Sequence, residues 1–325
     1  MQIIDLHCDT ITRFTQGEHL RGMENGHVSL EKLKAGETMA QCFAIFVFSN
    51  DELALPGVPP TSEEFFYVAL RRYREELELC KDTLLPATTA AEIEANRAAG
   101  KISSILTVED GVTLNGHLEN VDMYYREGVR MVSLTWNYEN SLGYPHSTDP
   151  EKHALGLKPF GIEAVRRMNE LGIAVDVSHL SEGGFWDVVK TSAKPFIASH
   201  SCARALCDHS RNLTDEQLRA MGDKGSVVGL NYLTEFLKKP IGRPDDDHTD
   251  VDLAIRHLRH MVNVAGIESV GLGSDYDGME NTLEWGDCGG QQLLAQGIEK
   301  AFGYEAAEKI CYKNVLRVFR DIIGK

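Results

Sequence analysis

Short apolar segments recur along the whole chain and alternate with longer segments whose apolar residues have helical spacing. Several of the short segments are apolar at most positions, too continuous for half-exposed strands. This pattern is typical of parallel strands that helices cover on both faces. The segments predicted to be strands are eight in number: 2–6, 40–48, 102–108, 131–135, 173–177, 195–199, 226–230 and 270–274.

The segments between these strands carry helix signals. Thr61 and Glu64 form a T-x-x-E capping signature before a long amphipathic segment that runs to about Lys81. Thr214 and Gln217 repeat the signature ahead of a second amphipathic segment. Further helices are predicted at 251–265, 291–302 and 305–323.

Eight strands that alternate with helices over 325 residues predict one TIM-like (β/α)8 barrel. It would form a single domain, residues 1–325, with extra C-terminal helices. An open doubly wound sheet should instead carry a glycine-rich phosphate turn after its first strand, and the sequence has none there. Segments 56–60, 137–157 and 235–250 are predicted excursions; the last two would overhang the C-terminal face of a barrel.

Charge and cysteine content narrow the classes of partner and compartment. The chain has 33 basic against 49 acidic residues, a formal net charge of −16, so nucleic-acid and membrane-surface partners are not expected. The seven cysteines are scattered without a CxxC pair, which disfavours a disulfide framework and predicts a reducing compartment, the cytoplasm. No membrane span, secretory leader or lipid-anchor signal is expected. The oligomeric state stays open, a homodimer included.

Acidic and histidine side chains stand at the C-terminal ends of five predicted strands. Because the carboxyl ends of parallel barrel strands meet on one rim, these side chains should gather there. Alternation along an extended backbone also projects His7 and Asp9 to the same side of the first strand. The candidates are His7 and Asp9 on strand one, Glu109 on strand three, His179 on strand five, His200 on strand six and Asp275 on strand eight.

The number of candidate ligands predicts two metal ions. One tetrahedral zinc that keeps an open position needs only three protein ligands. Two ions ~3.5–4 Å apart share a water and lower its pKa towards ~7, which makes hydroxide available for hydrolysis. His7 and Asp9 would hold one ion, His179 and His200 the other, with Glu109 as the bridge. Asp275 would carry the proton from the water to the leaving group.

Each candidate also has an ordinary structural explanation. Glu109 could cap a helix, His179 could be a hydrogen-bonded core histidine, and Asp275 could form a turn. What favours the metal centre is their joint placement on five strand ends, which these explanations do not predict. The remaining histidines follow no strand and are assigned to surface or packing roles. Whether the side chain of His146 or His153 reaches the site stays open.

The motifs DLHCDT, VEDG, DVSH, SHS and GSDYDG occur in this order, with Arg211 shortly after SHS. In this set the chain resembles the zinc-dependent membrane (renal) dipeptidase family, bacterial members included, over nearly its whole length. The resemblance implies a (β/α)8 metallohydrolase with two zinc ions per chain that cleaves dipeptides. It implies the same metal ligands, with Arg211 binding the substrate's C-terminal carboxylate and Asp275 acting as acid/base near the substrate's amino group. Tyr232 stands at the position of a substrate-lining tyrosine.

One departure from that family concerns the end of strand four. Better-known members read Leu-Thr-His there, and the histidine helps to stabilise the substrate carbonyl as it becomes tetrahedral. This chain has Trp136, which donates only an indole N–H, followed by Asn137, the candidate for the missing donor. Both are therefore assigned to substrate binding.

Two other functions remain open at this stage. The same metal centre could hydrolyse N-acyl amino acids, lactones or esters, because a barrel fold does not fix its substrate. A non-catalytic barrel that binds metal or amino-acid derivatives is the alternative from another class. The side chains preferred in a dipeptide, acceptance of a C-terminal D-residue and the native metal also stay open.

Overall fold

A computed structural model describes residues 1–47, 61–240, 242 and 246–324. Eight parallel strands form a closed barrel, in which each strand pairs with the next and β8 pairs with β1. The predicted (β/α)8 barrel is therefore confirmed. The strands are β1 Ile3–Cys8, β2 Thr38–Phe46, β3 Ile102–Glu109, β4 Met131–Ser133, β5 Ala174–Asp176, β6 Ile197–Ser201, β7 Val227–Leu230 and β8 Val270–Leu272.

The strand ends differ from the prediction by a few residues, and three short strands were not predicted. Leu84–Pro86 pairs with the beginning of β3, and His248–Thr249 pairs with Thr282–Leu283 at the margin of the barrel. Two or three residues are too few to show a two-residue period, which explains the omission. Phe48 and segment 56–60 lie outside the described residues.

The helices lie between the strands and follow the predicted capping signals. Thr61 accepts a hydrogen bond from the backbone of Glu64, and Thr214 and Gln217 form a reciprocal capping box. The predicted last helix is interrupted by a π-helical turn at Lys309–Lys313. The α-helices are Thr10–Thr15, Leu30–Ala35, Ser62–Cys80, Ala90–Ala98, Leu118–Arg126, Pro150–His153, Pro159–Leu171, Glu182–Thr191, Asp215–Asp223, Thr234–Leu237, Val251–Ala265, Gln292–Phe302, Tyr304–Glu308 and Asn314–Ile322.

The interior of the barrel is polar just below its C-terminal rim. Alternation along β1 turns Asp5 and His7 to the same, inward face. Asp5 accepts hydrogen bonds from Gln41 Nε2 at 2.9 Å and Ser274 Oγ at 2.6 Å, so strands β1, β2 and β8 are tied together under the site. Burial nevertheless raises the pKa of the Asp5 carboxyl above its usual value.

Two further features concern the cysteines and the helices. All seven cysteines are buried free thiols. Within the described ranges, no helix combines the length and the apolar character that crossing a membrane requires.

Candidate metal centre

The five side chains that were predicted as metal ligands lie together at the C-terminal rim of the barrel. Glu109, at the end of β3, lies among the three histidines. Its Oε1 is 2.9 Å from His179 Nε2 and 3.5 Å from His200 Nε2, while its Oε2 is 3.5 Å from His7 Nε2. One carboxylate oxygen thus faces His7 and the other faces His179 and His200, which is the arrangement that a bridging ligand needs.

The first group consists of His7 and Asp9 on β1 and the turn after it. His7 Nε2 is 3.4 Å from Asp9 Oδ2 and 4.0 Å from Asp275 Oδ1. His7 Nε2 and Asp9 Oδ1 are both buried and lack a hydrogen-bond partner among the residues that the structure describes. Buried polar atoms normally have partners, so these two fit the binding of a cation between them.

The second group consists of His179 and His200. Their Nε2 atoms are 3.0 Å apart. Two nitrogens on one tetrahedral zinc, each bound at ~2.0–2.1 Å, stand about 3.3 Å from one another. The residues present therefore fit a zinc ion here as well as beside His7.

Burial and charge shape the acidity of the cluster. Burial, and then the charge of Glu109, raise the pKa of Asp9 to about 8. Burial would also raise the pKa of Glu109, but the charge of His7 and the close imidazoles of His179 and His200 hold it well below its ordinary value. Burial, followed by the charge of Arg211, lowers the pKa of His179 to about 3, which keeps its imidazole neutral. Neutral imidazole and carboxylate are the forms that bind metals, so Glu109 and His179 are already in that form, whereas Asp9 would lose a proton when an ion binds.

The buried carboxylate of Asp176 orients the His200 ring through the hydroxyl of Ser199. Ser199 Oγ is 2.7 Å from His200 Nδ1 and 2.6 Å from Asp176 Oδ2. Since the carboxylate only accepts, Ser199 donates to Asp176 and accepts from His200 Nδ1–H. The lone pair of His200 then lies on Nε2, facing the cluster. Neither Ser199 nor Asp176 was among the predicted site residues.

A cavity of about 330 Å³ opens over this cluster. Its walls include the predicted substrate-binding residues Trp136 and Asn137. The Trp136 ring packs edge-on against Phe46 at 4.7 Å between centroids. The described residues that line the cavity are Asp9, Thr12, Phe46, Glu109, Trp136, Asn137, His179, Leu233, Phe236, Asp275, Asp277 and Gly278.

Arg211 lies buried beside this cavity. Its guanidinium carbon is 5.3 Å from the centre of the Phe236 ring, and its Nη2 donates to the carbonyl of His200 at 3.4 Å. Arg211 Nε is buried and has no partner within the described part of the chain. Burial lowers the pKa of the guanidinium, and the unpartnered donor leaves capacity for an anionic group.

Asp275 has a left-handed backbone with φ 68° and directs its carboxylate towards His7. Asn231, at the end of β7, donates from Nδ2 to Asp275 Oδ2 at 3.0 Å. Asn231 Oδ1 in turn accepts from the backbone of Leu233 at 2.6 Å. Asn231 was not predicted as a site residue, although its place at a strand end was a usable signal.

Tyr232, which was predicted to line the substrate site, is not among the described residues that line the cavity. Its ring is buried and packs edge-on against Tyr276 and Trp285, away from the cavity. The reason is alternation along the extended chain: Asn231 and Leu233 face the site, so the residue between them points to the other side.

His146 was assigned to a surface or packing role, and whether its side chain reaches the site was left open. The structure places its ring 6.2 Å from that of His179, and its Nε2 lies 3.1 Å from Asn137 Oδ1. No strand precedes His146, so position relative to strands carried no signal for it. His153 instead contacts Arg204 Nη2 at 3.2 Å.

Comparison with known proteins agrees with this geometry. The sequence matches the family model described as Membrane dipeptidase (Peptidase family M19) over residues 1–323. An uncharacterized protein in the pqqA 5' region of Klebsiella pneumoniae is 36% identical over 242 residues, covering 72% of this chain and 87% of the relative. An uncharacterized dipeptidase of Schizosaccharomyces pombe is 31% identical over 324 residues, covering 91% of this chain and 73% of the relative.

Solved structures show the same similarity. The metallopeptidase called dipeptidase AC, of family M19, has 28% identity and a TM-score of 0.89, covering 100% of this chain and 99% of its own. A metallopeptidase from Rhodobacter sphaeroides, liganded with a phosphinate mimic of the dipeptide L-Ala-D-Ala, has 28% identity and a TM-score of 0.85, covering 99% of both chains. The chain therefore belongs to the membrane dipeptidase family, peptidase family M19.

Proposed function

We propose that this metallopeptidase hydrolyses the amide bond of dipeptides at a centre of two zinc ions. The observation that carries the proposal is the division of Glu109, with one carboxylate oxygen facing His7 and the other facing His179 and His200. His7 and Asp9 would hold one ion, His179 and His200 the other, and Glu109 would touch both. The chemistry that zinc supplies in such a site is activation of water and polarisation of the scissile carbonyl.

Asp275 is the proposed proton carrier. Its Oδ2 is held by Asn231, which leaves Oδ1, 4.0 Å from His7 Nε2, directed at the position of the reacting groups. A carboxylate fixed in this way can take a proton from water and pass it to the departing amine. Because Asp275 lines the cavity, it is also placed to contact the free amino group of a substrate.

Arg211 is the proposed binding residue for the substrate's C-terminal carboxylate. A planar guanidinium forms paired, charge-assisted hydrogen bonds with a carboxylate, and burial strengthens them. Arg211 Nε is a buried donor without a partner among the described residues, and such a donor gains most from an anionic ligand. Simultaneous contacts of Asp275 with an amine and of Arg211 with a carboxylate would restrict substrates to dipeptides.

Trp136 and Asn137 complete the proposed substrate site. Trp136 and Phe46 form an aromatic wall that excludes water from one side of the cavity. Asn137 offers an amide as hydrogen-bond donor to the carbonyl that becomes tetrahedral. Since the Rhodobacter sphaeroides relative is liganded with a mimic of L-Ala-D-Ala, dipeptides with a C-terminal D-residue belong among the candidate substrates.

The test is a substrate panel measured on the zinc-loaded protein. It contains dipeptides of both C-terminal stereochemistries, the matching tripeptides, and N-acyl amino acids that lack a free amine. We expect dipeptide hydrolysis with kcat/KM at least about 100-fold above that for tripeptides, given a charge-assisted contact at each end of the substrate. Equal rates on tripeptides or preference for N-acyl amino acids would refute the proposal. Metal analysis of the purified protein should give two zinc ions per chain.

We also propose the cytoplasm as the compartment of this protein. The seven cysteines are all buried free thiols, which suits a reducing environment. Fractionation of the native host cells tests this assignment.

A further inference from the structure

We propose that Asn137, held in place by His146, is a positioning residue that fixes the metal-binding tautomer of His179. The inference rests on the proposed function only in taking His179 as a zinc ligand. It assigns to His146 a role that the sequence analysis did not assign.

Asn137 lies between two imidazoles. The Oδ1 atom of its side chain is 3.1 Å from His179 Nδ1 and 3.1 Å from His146 Nε2. An amide oxygen has two lone pairs and accepts from both rings at once. Each imidazole must then carry its proton on the nitrogen that faces Asn137.

The tautomer matters because His179 uses its other nitrogen in the cluster. Its Nε2 is 2.9 Å from Glu109 Oε1 and 3.0 Å from His200 Nε2. A neutral imidazole binds a metal only through its unprotonated nitrogen, so the proton must be on Nδ1 and needs an acceptor there. Were the Asn137 amide turned over, its nitrogen would donate to Nδ1 and leave the proton on Nε2, which blocks metal binding.

His146 holds the amide in the productive orientation. Its Nε2–H donates to Asn137 Oδ1, while its Nδ1 accepts from the hydroxyl of Ser210 at 2.8 Å. The backbone N–H of His146 also donates to the carbonyl of His179 at 2.6 Å. Loops after β4, β5 and β6 are thus joined, and the ring of His146 stands at a fixed place beside the ligand that it orients.

The arrangement resembles the support of His200 from the other side. There Ser199 accepts from His200 Nδ1, and here Asn137 accepts from His179 Nδ1. Both histidines of the second group therefore have an acceptor at Nδ1 and face the cluster with Nε2. Such outer contacts typically contribute 10–100-fold to metal affinity.

The experiment measures zinc affinity, which does not depend on turnover. Metal-free protein is titrated with zinc against a chromophoric chelator, and Co²⁺ absorption spectra are recorded in parallel. Asn137→Leu removes the acceptor and should weaken one of the two zinc sites by about 10–100-fold. Asn137→Asp keeps an acceptor oxygen and should stay within about threefold of the unmutated protein, with the same Co²⁺ spectrum. His146→Leu should reproduce part of the Asn137→Leu loss at the same site.

The matched control is Glu139→Gln, on the same exposed loop but paired with Lys158 rather than with a histidine. It should leave both zinc affinities unchanged. Equal losses in Asn137→Leu and Asn137→Asp, an unchanged affinity in Asn137→Leu, or equal weakening of both sites would overturn the proposal. Absence of dipeptide hydrolysis in a protein that binds two zinc ions would instead defeat the proposed function and leave this inference standing.

Discussion

His179 and His200 turn their Nε2 atoms towards one another at 3.0 Å, with Glu109 Oε1 next to both. Two neutral imidazoles repel in this orientation unless a proton or a cation lies between their lone pairs. The carboxylate of Glu109 adds negative charge at the same point. The strand ends thus place three electron-pair donor atoms around one small volume. This arrangement suits the binding of a cation.

Glu109→Gln tests the bridge that this arrangement implies. The amide keeps the size of the side chain but removes its charge and one acceptor oxygen. We expect kcat to fall at least about 100-fold, because loss of an ion removes polarisation of the scissile carbonyl, which is worth several kcal/mol. The zinc content should fall from two ions to one or none.

Metal analysis and steady-state kinetics on the same preparation check this result. Glu119→Gln, at an exposed helical position where the carboxylate contacts His117, is the control and should retain zinc and activity. A Glu109→Gln protein with two zinc ions and undiminished kcat would contradict the bridging role.

Ser199→Ala tests the support of His200 by Asp176. Without the hydroxyl, His200 Nδ1–H loses its acceptor at 2.7 Å, and the imidazole can turn or change its tautomer. We expect zinc affinity about 10-fold weaker, at the lower end of the range for such contacts. Ser178 is equally buried; its hydroxyl contacts the backbone of His200 and, at 3.2 Å, Ser199 Oγ, but not the His200 ring. Chelator competition should therefore show a clearly smaller effect for Ser178→Ala.

Much of this site could be predicted because parallel barrel strands produce a recognisable pattern in the sequence. Strands that are covered on both faces appear as apolar runs, and their carboxyl ends share one rim. His7, Glu109 and His179 could therefore be assigned to one place without knowledge of any distance. The chemistry of each residue type then limited what that place could do.

The roles of the residues that were not predicted depend on distances and on side-chain directions, which the sequence does not contain. Ser199 and Asn231 are ordinary polar residues until it is known which neighbour each one faces. The ring of Tyr232 lies outside the cavity lining for a related reason, since a shift of one residue at a strand end reverses the direction of a side chain. His146 comes from an irregular loop, where no period relates sequence position to orientation.

Arg211 can be tested through the substrate as well as through the protein. Replacement of the C-terminal carboxylate of a dipeptide by an amide removes the anion and should lower kcat/KM about 100-fold in the unmutated protein. In Arg211→Met, which keeps much of the buried volume, kcat/KM for the free dipeptide should fall to the level of its amide. A preference for the free carboxylate that survives in Arg211→Met would assign its recognition to another residue.

Asn231→Leu tests the positioning of Asp275. Leucine has a similar size but cannot donate to Asp275 Oδ2, where the present bond is 3.0 Å long. A freely turning carboxylate carries protons less efficiently, so kcat should fall about 10–100-fold, within the usual contribution of general acid–base catalysis. KM should rise as well, because the same carboxylate is the proposed contact for the substrate's amino group. An increase in KM with unchanged kcat would show that Asn231 acts on substrate binding instead.

Removal of metal should make stability depend on pH through Asp9. Burial and the charge of Glu109 raise the pKa of Asp9 from 3.8 to about 8, and His7 has a raised pKa as well. A group with a raised folded-state pKa contributes stability that is complete below its unfolded value and is lost as pH rises through the folded value. Metal-free protein should therefore unfold at progressively lower temperature between about pH 4 and pH 8.

Asp9→Asn separates this effect from others. Without an ionisable group at this position, the metal-free variant should melt a few degrees above metal-free unmutated protein at pH 8 and close to it at pH 4.5, because the charged carboxylate has been removed. Zinc reverses the order: it stabilises the ionised Asp9, so the zinc-loaded unmutated protein should melt above the zinc-loaded variant at pH 8. Thermal unfolding followed by circular dichroism, with and without chelator, measures all four states. A pH profile that is the same for metal-free Asp9→Asn and unmutated protein would show that Asp9 is not the group that titrates.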